Sequence, residues 1–210
     1  MNGNFISIEG GEGAGKSSTL SCIKHWLEEH NIDYVLTREP GGSPLAEEIR
    51  SLVLAPREEH VSKYAELLLV FAARVQHIQQ TILPALEEGK WVISDRFVDS
   101  SYVYQGLARG IDKELIDELV NTYLKNAMPN ATILLDVPVE IGLERVSSRG
   151  DANRLDGESI TFHEKVRNGF LARAEENASR FKVVDASVAQ DAVEQQIRKI
   201  LDELLTQVSS

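Results

Sequence analysis

The chain has 210 residues, 42% of them hydrophobic, which suits one globular unit with a proper core. Its formal net charge of −11 argues against a nucleic-acid-binding surface, and its longest apolar run, 67–73, is far too short for a membrane span. The N-terminus has no basic region followed by an apolar stretch, so no signal peptide is expected, and Cys22 alone can form no internal disulfide or multi-cysteine zinc site. A cytoplasmic protein with no membrane and no nucleic-acid partner is the expectation.

In chain order, Phe5-Ile6-Ser7-Ile8-Glu9 alternates like a strand and runs into a glycine-rich segment. A helix is predicted over 16–30, a strand over 34–37, and a helix over 44–54 with Pro44 in its first turn. A long helix follows at 63–88, bent or ended near Pro84. The apolar run Trp91-Val92-Ile93 marks a third strand, 91–95, and Asp112 is placed to cap a helix over 113–126. A fourth strand at 132–137, helices at 139–148 and 160–178, a fifth strand at 181–185 and a last helix at 189–207 complete the chain. Strands alternating with helices predict an α/β doubly wound fold with a five-stranded parallel sheet flanked by helices. Residues 149–157 are the most polar, turn-rich stretch and read as a mobile loop, so the expected organisation is one unit, 1–210, with a short lid at about 149–157.

Residues 10–17 read Gly10-Gly11-Glu12-Gly13-Ala14-Gly15-Lys16-Ser17, the G-x-x-x-x-G-K-S pattern of a P-loop. A polyphosphate needs many converging N–H donors and no side chains in the way. Glycines let the backbone wrap closely, and the loop opens a helix whose free N–H groups and positive dipole end face the anion. Lys16 can reach the β- and γ-phosphates, and the Ser17 hydroxyl can ligate Mg²⁺. The strand before the loop and the helix after it give the motif the context it requires, and the P-loop NTPase fold follows.

Ligands of open α/β sheets lie beyond the carboxyl ends of the strands. That rule gathers the P-loop, Arg38-Glu39-Pro40-Gly41-Gly42, Asp95-Arg96 and Asp185-Ala186-Ser187 in one crevice. Asp95 can hold Mg²⁺ and Arg96 can sit at the phosphates. Phe71 and Arg74, three apart on a helix, share a face; they can stack a base and donate to its carbonyl, or they can be core and surface. Arg145, Arg149 and Arg154 straddle the polar loop, where a solvated, charge-balanced reading stands beside a functional one. The five histidines show no metal-ligand spacing and read as structural or surface.

Together these residues resemble the thymidylate kinases of the nucleoside monophosphate kinase group, bacterial type. The matching pieces are Ile8-Glu9-Gly10 through the P-loop, Thr37-Arg38-Glu39-Pro40-Gly41-Gly42, Phe71-Ala72-Ala73-Arg74, Asp95-Arg96-Phe97 with Ser100-Ser101 and Tyr104-Gln105-Gly106, and Leu135-Asp136-Val137. The resemblance implies ATP-dependent phosphorylation of dTMP to dTDP, with Mg²⁺, in a homodimer; the runner-up is a P-loop kinase of another nucleotide or nucleoside. It implies that Gly10, Gly11, Glu12, Gly13, Ala14, Gly15, Lys16, Ser17 and Ser18 hold ATP. Glu12 would also lie near the dTMP sugar hydroxyl. Arg38, Arg50 and Arg96 would hold the monophosphate, Arg74 would read thymine O4, Ser101 and Gln105 would hydrogen-bond the base edge, and Ser100 would also bind the substrate. Tyr104 would crowd the 2′ position. Ser17, Asp95 and Glu39 would arrange Mg²⁺. Gly13 leaves the loop without a basic residue beyond Lys16, and Arg149 and Arg154 match the lid arginines that would then complete a catalytic set with Lys16, Asp95 and Arg96. The family's stacking aromatic lies four residues before the arginine, where this chain has Val70. Either Phe71 stacks through a shifted face or the base meets an aliphatic wall. A P-loop GTPase-like switch lacks support, because no Asn-Lys-x-Asp motif is present.

Overall fold

The structure, a computed structural model, describes residues 3–124, 126–148 and 158–208. Five strands form one sheet: β1 (Phe5–Glu9), β2 (Tyr34–Arg38), β3 (Trp91–Asp95), β4 (Ala131–Asp136) and β5 (Phe181–Asp185). Their order is β2-β3-β1-β4-β5, and every neighbouring pair is parallel. Strands β1, β3 and β5 match the predicted spans; β2 is one residue longer, and β4 begins and ends one residue earlier.

The helices are α1 (Lys16–Glu29), α2 (Pro44–Leu54), α3 (Lys63–His77), α4 (Leu83–Glu87), α5 (Val98–Ser101), α6 (Lys113–Tyr123), α7 (Val139–Ser147), α8 (Ile160–Glu176) and α9 (Gln190–Val208). The long helix predicted over 63–88 is α3 and α4 joined by a π-helical turn, Ile78–Ile82. Pro84 sits in the first turn of α4; it has no N–H to donate, and the wider winding just ahead of it absorbs the missing bond. Asp112 stands at the N-cap of α6, but its side chain makes no capping bond; its carbonyl accepts from Leu115 N–H instead. A second π-helical segment, Tyr102–Ala108, continues α5, and the sequence predicts no element there.

Strand parity divides the core. Ile6, Ile8, Trp91, Ile93 and Ile133 face one side with Ile23, Trp26 and Leu27 of α1 and Ile197 and Leu201 of α9. Phe5 and Val92 face the other with Leu67 and Phe71 of α3 and Ile116 of α6, while Leu134 and Phe181 meet Val166 and Phe170 of α8. Both faces are dry, which is why the strands read as continuous apolar runs rather than alternating ones. Each fully buried aliphatic side chain contributes roughly 1.5–3 kcal/mol of transfer free energy. This rigid frame presents the carboxyl ends of β1, β2, β3 and β4 to one crevice.

Candidate active site

The P-loop leaves β1 at Gly10 and enters α1 through Gly15, which takes a left-handed conformation at φ 92°. Gly13 is also left-handed at φ 70°, and a Cβ there would lie 2.0 Å from the Gly142 carbonyl oxygen of α7. A side chain is therefore barred twice, by conformation and by space. Lys16 bends back over the loop, its Nζ donating to the Gly10 and Gly11 carbonyls at 3.2 and 3.1 Å. Burial lowers its pKa and the neighbouring Arg96 charge lowers it further.

Two cavities, each of about 260 Å³, lie on either side of this loop. The first is bounded by Lys16, Asp95 and Arg96 at one end and by Arg74, Ser101 and Gln105 at the other. Arg50, Glu39, Ser100 and Tyr104 line it as well. The second runs past Ala14, Gly15 and Ser18 to Arg145, Ala186 and α9. Arg145, offered by the sequence only as one of the arginines beside the polar loop, donates to the Ala186 carbonyl at 3.1 Å.

Arg96 ties the P-loop to the wall of the first cavity. Its Nη1 donates to the Gly10 carbonyl at 3.1 Å and to Ser100 Oγ at 3.2 Å, and its Nη2 to Glu12 Oε1 at 3.0 Å. Tyr104 Oη donates to the same Glu12 oxygen at 3.1 Å, and the Arg96 guanidinium stacks over the Tyr104 ring. Burial opposes ionisation of Glu12, but Arg96, Lys16 and the Tyr104 hydroxyl outweigh it and hold its pKa below the ordinary carboxylate value. Arg96 itself is left-handed at φ 68°, a conformation that costs a non-glycine residue roughly 1–2 kcal/mol.

The far end of the cavity is built around Arg74, which is 1% exposed. Its Nε donates to Glu39 at 2.6 Å, Nη1 to Ser101 Oγ at 2.9 Å and Nη2 to the Phe97 carbonyl at 3.2 Å. A guanidinium has five N–H donors, so two remain for a ligand. Glu39 is also held by His77 Nδ1 at 3.0 Å, and His77 Nε2 meets Thr37 Oγ1 at 2.7 Å. Gln105 Nε2 donates to Glu66 at 3.1 Å.

Three expectations change. Phe71 does not line the cavity: it is buried in the core, with its ring against the inner side of the Arg74 guanidinium. Val70 lines the wall instead, with Val53 and Leu54. The reason is periodicity, since Glu66, Val70 and Arg74 at spacings of four share one face of α3 and Phe71 is turned away from it. Arg38 is 55% exposed and bound to Glu47 at 2.9 Å, outside the cavity wall. Glu39 has one oxygen on Arg74 and the other on His77, so both its oxygens are already engaged by protein donors. Arg149 and Arg154 lie outside the described residues. The sequence reading passed over Glu66, Arg109, Val53 and Leu54 as cavity residues. Two steps of four back from Arg74, through Val70, were the available signal for Glu66.

A sequence profile of the family described as Thymidylate kinase matches residues 8–197 of this chain. The chain belongs to the thymidylate kinase family. A thymidylate kinase of Marinomonas sp. (strain MWYL1) is 58% identical over 204 residues, 97% of this chain and 96% of that one. A thymidylate kinase of Teredinibacter turnerae is 47% identical over 205 residues, 98% of this chain and all of its own length. Among solved structures, the thymidylate kinase of Ehrlichia chaffeensis superposes with a TM-score of 0.77 at 32% identity, covering 96% of this chain and 99% of that one. Its membership fixes the fold as that of the P-loop NTPases, and the five-stranded parallel sheet agrees.

Proposed function

We propose that the two cavities serve one reaction, the transfer of the γ-phosphoryl group of ATP to the phosphate of dTMP. As a thymidylate kinase, the protein is a nucleoside monophosphate kinase that converts dTMP to dTDP at the expense of ATP. The observation that carries the assignment of sites is the position of Arg96, which touches the P-loop backbone and lines the first cavity beside Lys16 and Asp95.

The base of dTMP fits the end where Arg74, Ser101 and Gln105 supply polar edges and Val53, Leu54 and Val70 supply an aliphatic wall. Glu12, tied to Tyr104, lies where the sugar would pass. The monophosphate fits beside Arg50 and Arg96. The second cavity takes the base of ATP, with the triphosphate laid along the P-loop amides and the positive end of α1. A phosphate nucleophile is already anionic near neutral pH, so no strong general base is required. Positioning and charge neutralisation by Lys16 and Arg96 do the work.

Mg²⁺ fits the donors present. Asp95 Oδ1 is buried with no hydrogen-bond partner among the described residues, and Ser17 offers an exposed hydroxyl at the start of α1. Both are oxygen donors of the kind a hard cation takes. No group of three or more His, Cys, Asp or Glu side chains that could hold a metal occurs among the described residues, as suits a Mg²⁺ that keeps its waters and phosphate ligands. When bound, it would neutralise charge on the ATP phosphates. Residues 149–157 act as the lid of a single 1–210 unit and bring Arg149 and Arg154 to the transferring group. A homodimer is supported by the apolar side chains left exposed on the outer faces of α2 and α3: Leu45, Leu52, Tyr64 and Leu68. No described helix is long and apolar enough to cross a membrane, which agrees with a cytoplasmic enzyme.

Steady-state assays with ATP against dTMP, dUMP, dCMP, AMP and thymidine test the assignment. The highest kcat/KM is expected for dTMP. A higher value for any other acceptor would overturn the assignment of the first cavity.

A further inference from the structure

The peptide between Arg96 and Phe97 is held from both sides. Its carbonyl accepts from Ser94 Oγ at 2.7 Å, and its N–H donates to Glu9 Oε1 at 2.8 Å. The Arg96 N–H donates to the Ile8 carbonyl at 2.9 Å. Arg96 has its left-handed φ of 68° between these bonds. Relaxing it to the right-handed region would turn the following peptide and break the bonds to Ser94 and Glu9 together. The other oxygen of Glu9 accepts from Ser100 Oγ at 2.7 Å. With its proton committed there, Ser100 Oγ has a lone pair free to accept from Arg96 Nη1 at 3.2 Å. One carboxylate therefore sets both the backbone and the tip of Arg96. Glu9 is 0% exposed and lines neither 260 Å³ cavity, so it has no contact with a ligand there.

We propose that Glu9 is a positioning residue for phosphoryl transfer: it holds Arg96 in its left-handed state and so aims the guanidinium into the first cavity, against the P-loop. This rests on the proposed reaction, in which Arg96 stabilises charge on the transferring group. Buried carboxylates at strand ends are commonly structural. What sets Glu9 apart is that its two acceptor bonds go to the Phe97 amide and to Ser100, and both of these govern one cavity arginine.

The test is steady-state and single-turnover kinetics on Glu9→Ala, Glu9→Gln and Ser94→Ala, each alone and combined with Arg96→Ala. Glu9→Ala should lower kcat by about 30-fold or more, with KM for ATP and dTMP within about threefold. Glu9→Gln should stay within about fivefold of the parent, because its amide oxygen still accepts from Phe97 N–H. With Arg96→Ala already present, Glu9→Ala should cost nothing further, since coupled residues are not additive. A merely structural role would lower the folded fraction without that coupling. Transfer at the parental rate by a folded Glu9→Ala protein, or a full multiplicative loss on Arg96→Ala, would overturn the proposal. If Glu9→Ala fails to fold, Ser94→Ala decides from the other side of the same peptide: a loss in the parent that vanishes with Arg96→Ala supports it, and an unchanged or fully additive rate overturns it. Absence of dTMP kinase activity in the unaltered protein would instead remove the proposed reaction, which the first assay shows separately.

Discussion

Val70 and Phe71 are adjacent in sequence, yet one faces the ligand cavity and the other the core. Phe71→Ala should therefore cost about 3–5 kcal/mol of stability and leave the dTMP KM of the folded enzyme nearly unchanged. Val70→Ala should shift the dTMP KM with a smaller loss of stability. Urea melts and steady-state kinetics separate the two, and the opposite pattern would put the base against Phe71. Glu9 makes a second residue-level prediction. Burial raises its pKa from 4.5 to about 7; Arg96 pulls it down and Asp99 pushes it up, with Ser100 and the Phe97 amide stabilising the anion. Because the folded value exceeds the unfolded one, the folded state keeps this proton when the unfolded chain has lost it. This contribution to stability is fully present below about pH 4.5 and is lost as pH rises through about 7. The loss reaches up to roughly 3 kcal/mol. In Glu9→Gln it should be absent, so the stability difference between mutant and parent should change with pH across that window. Parallel curves from pH 4 to 8 would show that Glu9 titrates normally.

At the scale of elements, the strands were legible because a sheet buried on both faces demands runs such as Trp91-Val92-Ile93 and Ile133-Leu134-Leu135. The P-loop was legible because phosphate binding fixes both residue type and spacing. The segment from Val98 to Ala108 was not. Val98, Tyr102, Val103 and Tyr104 are weak helix formers, and tertiary bonds hold this stretch helical. Asp99, 0% exposed, takes hydrogen bonds from Arg173 at 2.9 Å and Arg180 at 2.6 Å, from α8 and the turn just before β5. Such partners are 74 and 81 residues away, and no local pattern announces them. Helix α7 carries the next prediction. A Cβ at Gly142 would lie 2.5 Å from the Glu12 carbonyl oxygen, so Gly142→Ala should push on the P-loop. A loss of about 1–3 kcal/mol with a raised ATP KM is expected; calorimetry and kinetics check it, and an unchanged ATP KM would show that the loop tolerates the shift. The arginines of the proposed lid belong to the same scale. Arg149→Ala or Arg154→Ala should lower kcat by about 10³-fold, by analogy with arginine fingers elsewhere, with little change in KM. Single-turnover transfer at the parental rate in both would make 149–157 a solvated loop.

At the scale of the whole molecule, the exposed apolar residues of α2 and α3 predict association. Leu68, 59% exposed on α3, is the most exposed of them, and Leu68→Glu should turn a dimer into a monomer in light scattering. A monomeric parent would sink the homodimer. The contact of Gly13 with Gly142 bears on how this lineage can change. Each position is closed by backbone across the contact: a Cβ at Gly13 meets Gly142, and a Cβ at Gly142 meets Glu12. An arginine arriving at Gly13 would first have to displace α7. Displacing α7 would move Arg145, whose guanidinium reaches Ala186 beside the second cavity. A side chain at either glycine thus asks the P-loop and α7 to move together, so a change at one of these positions calls for a compensating change across the contact.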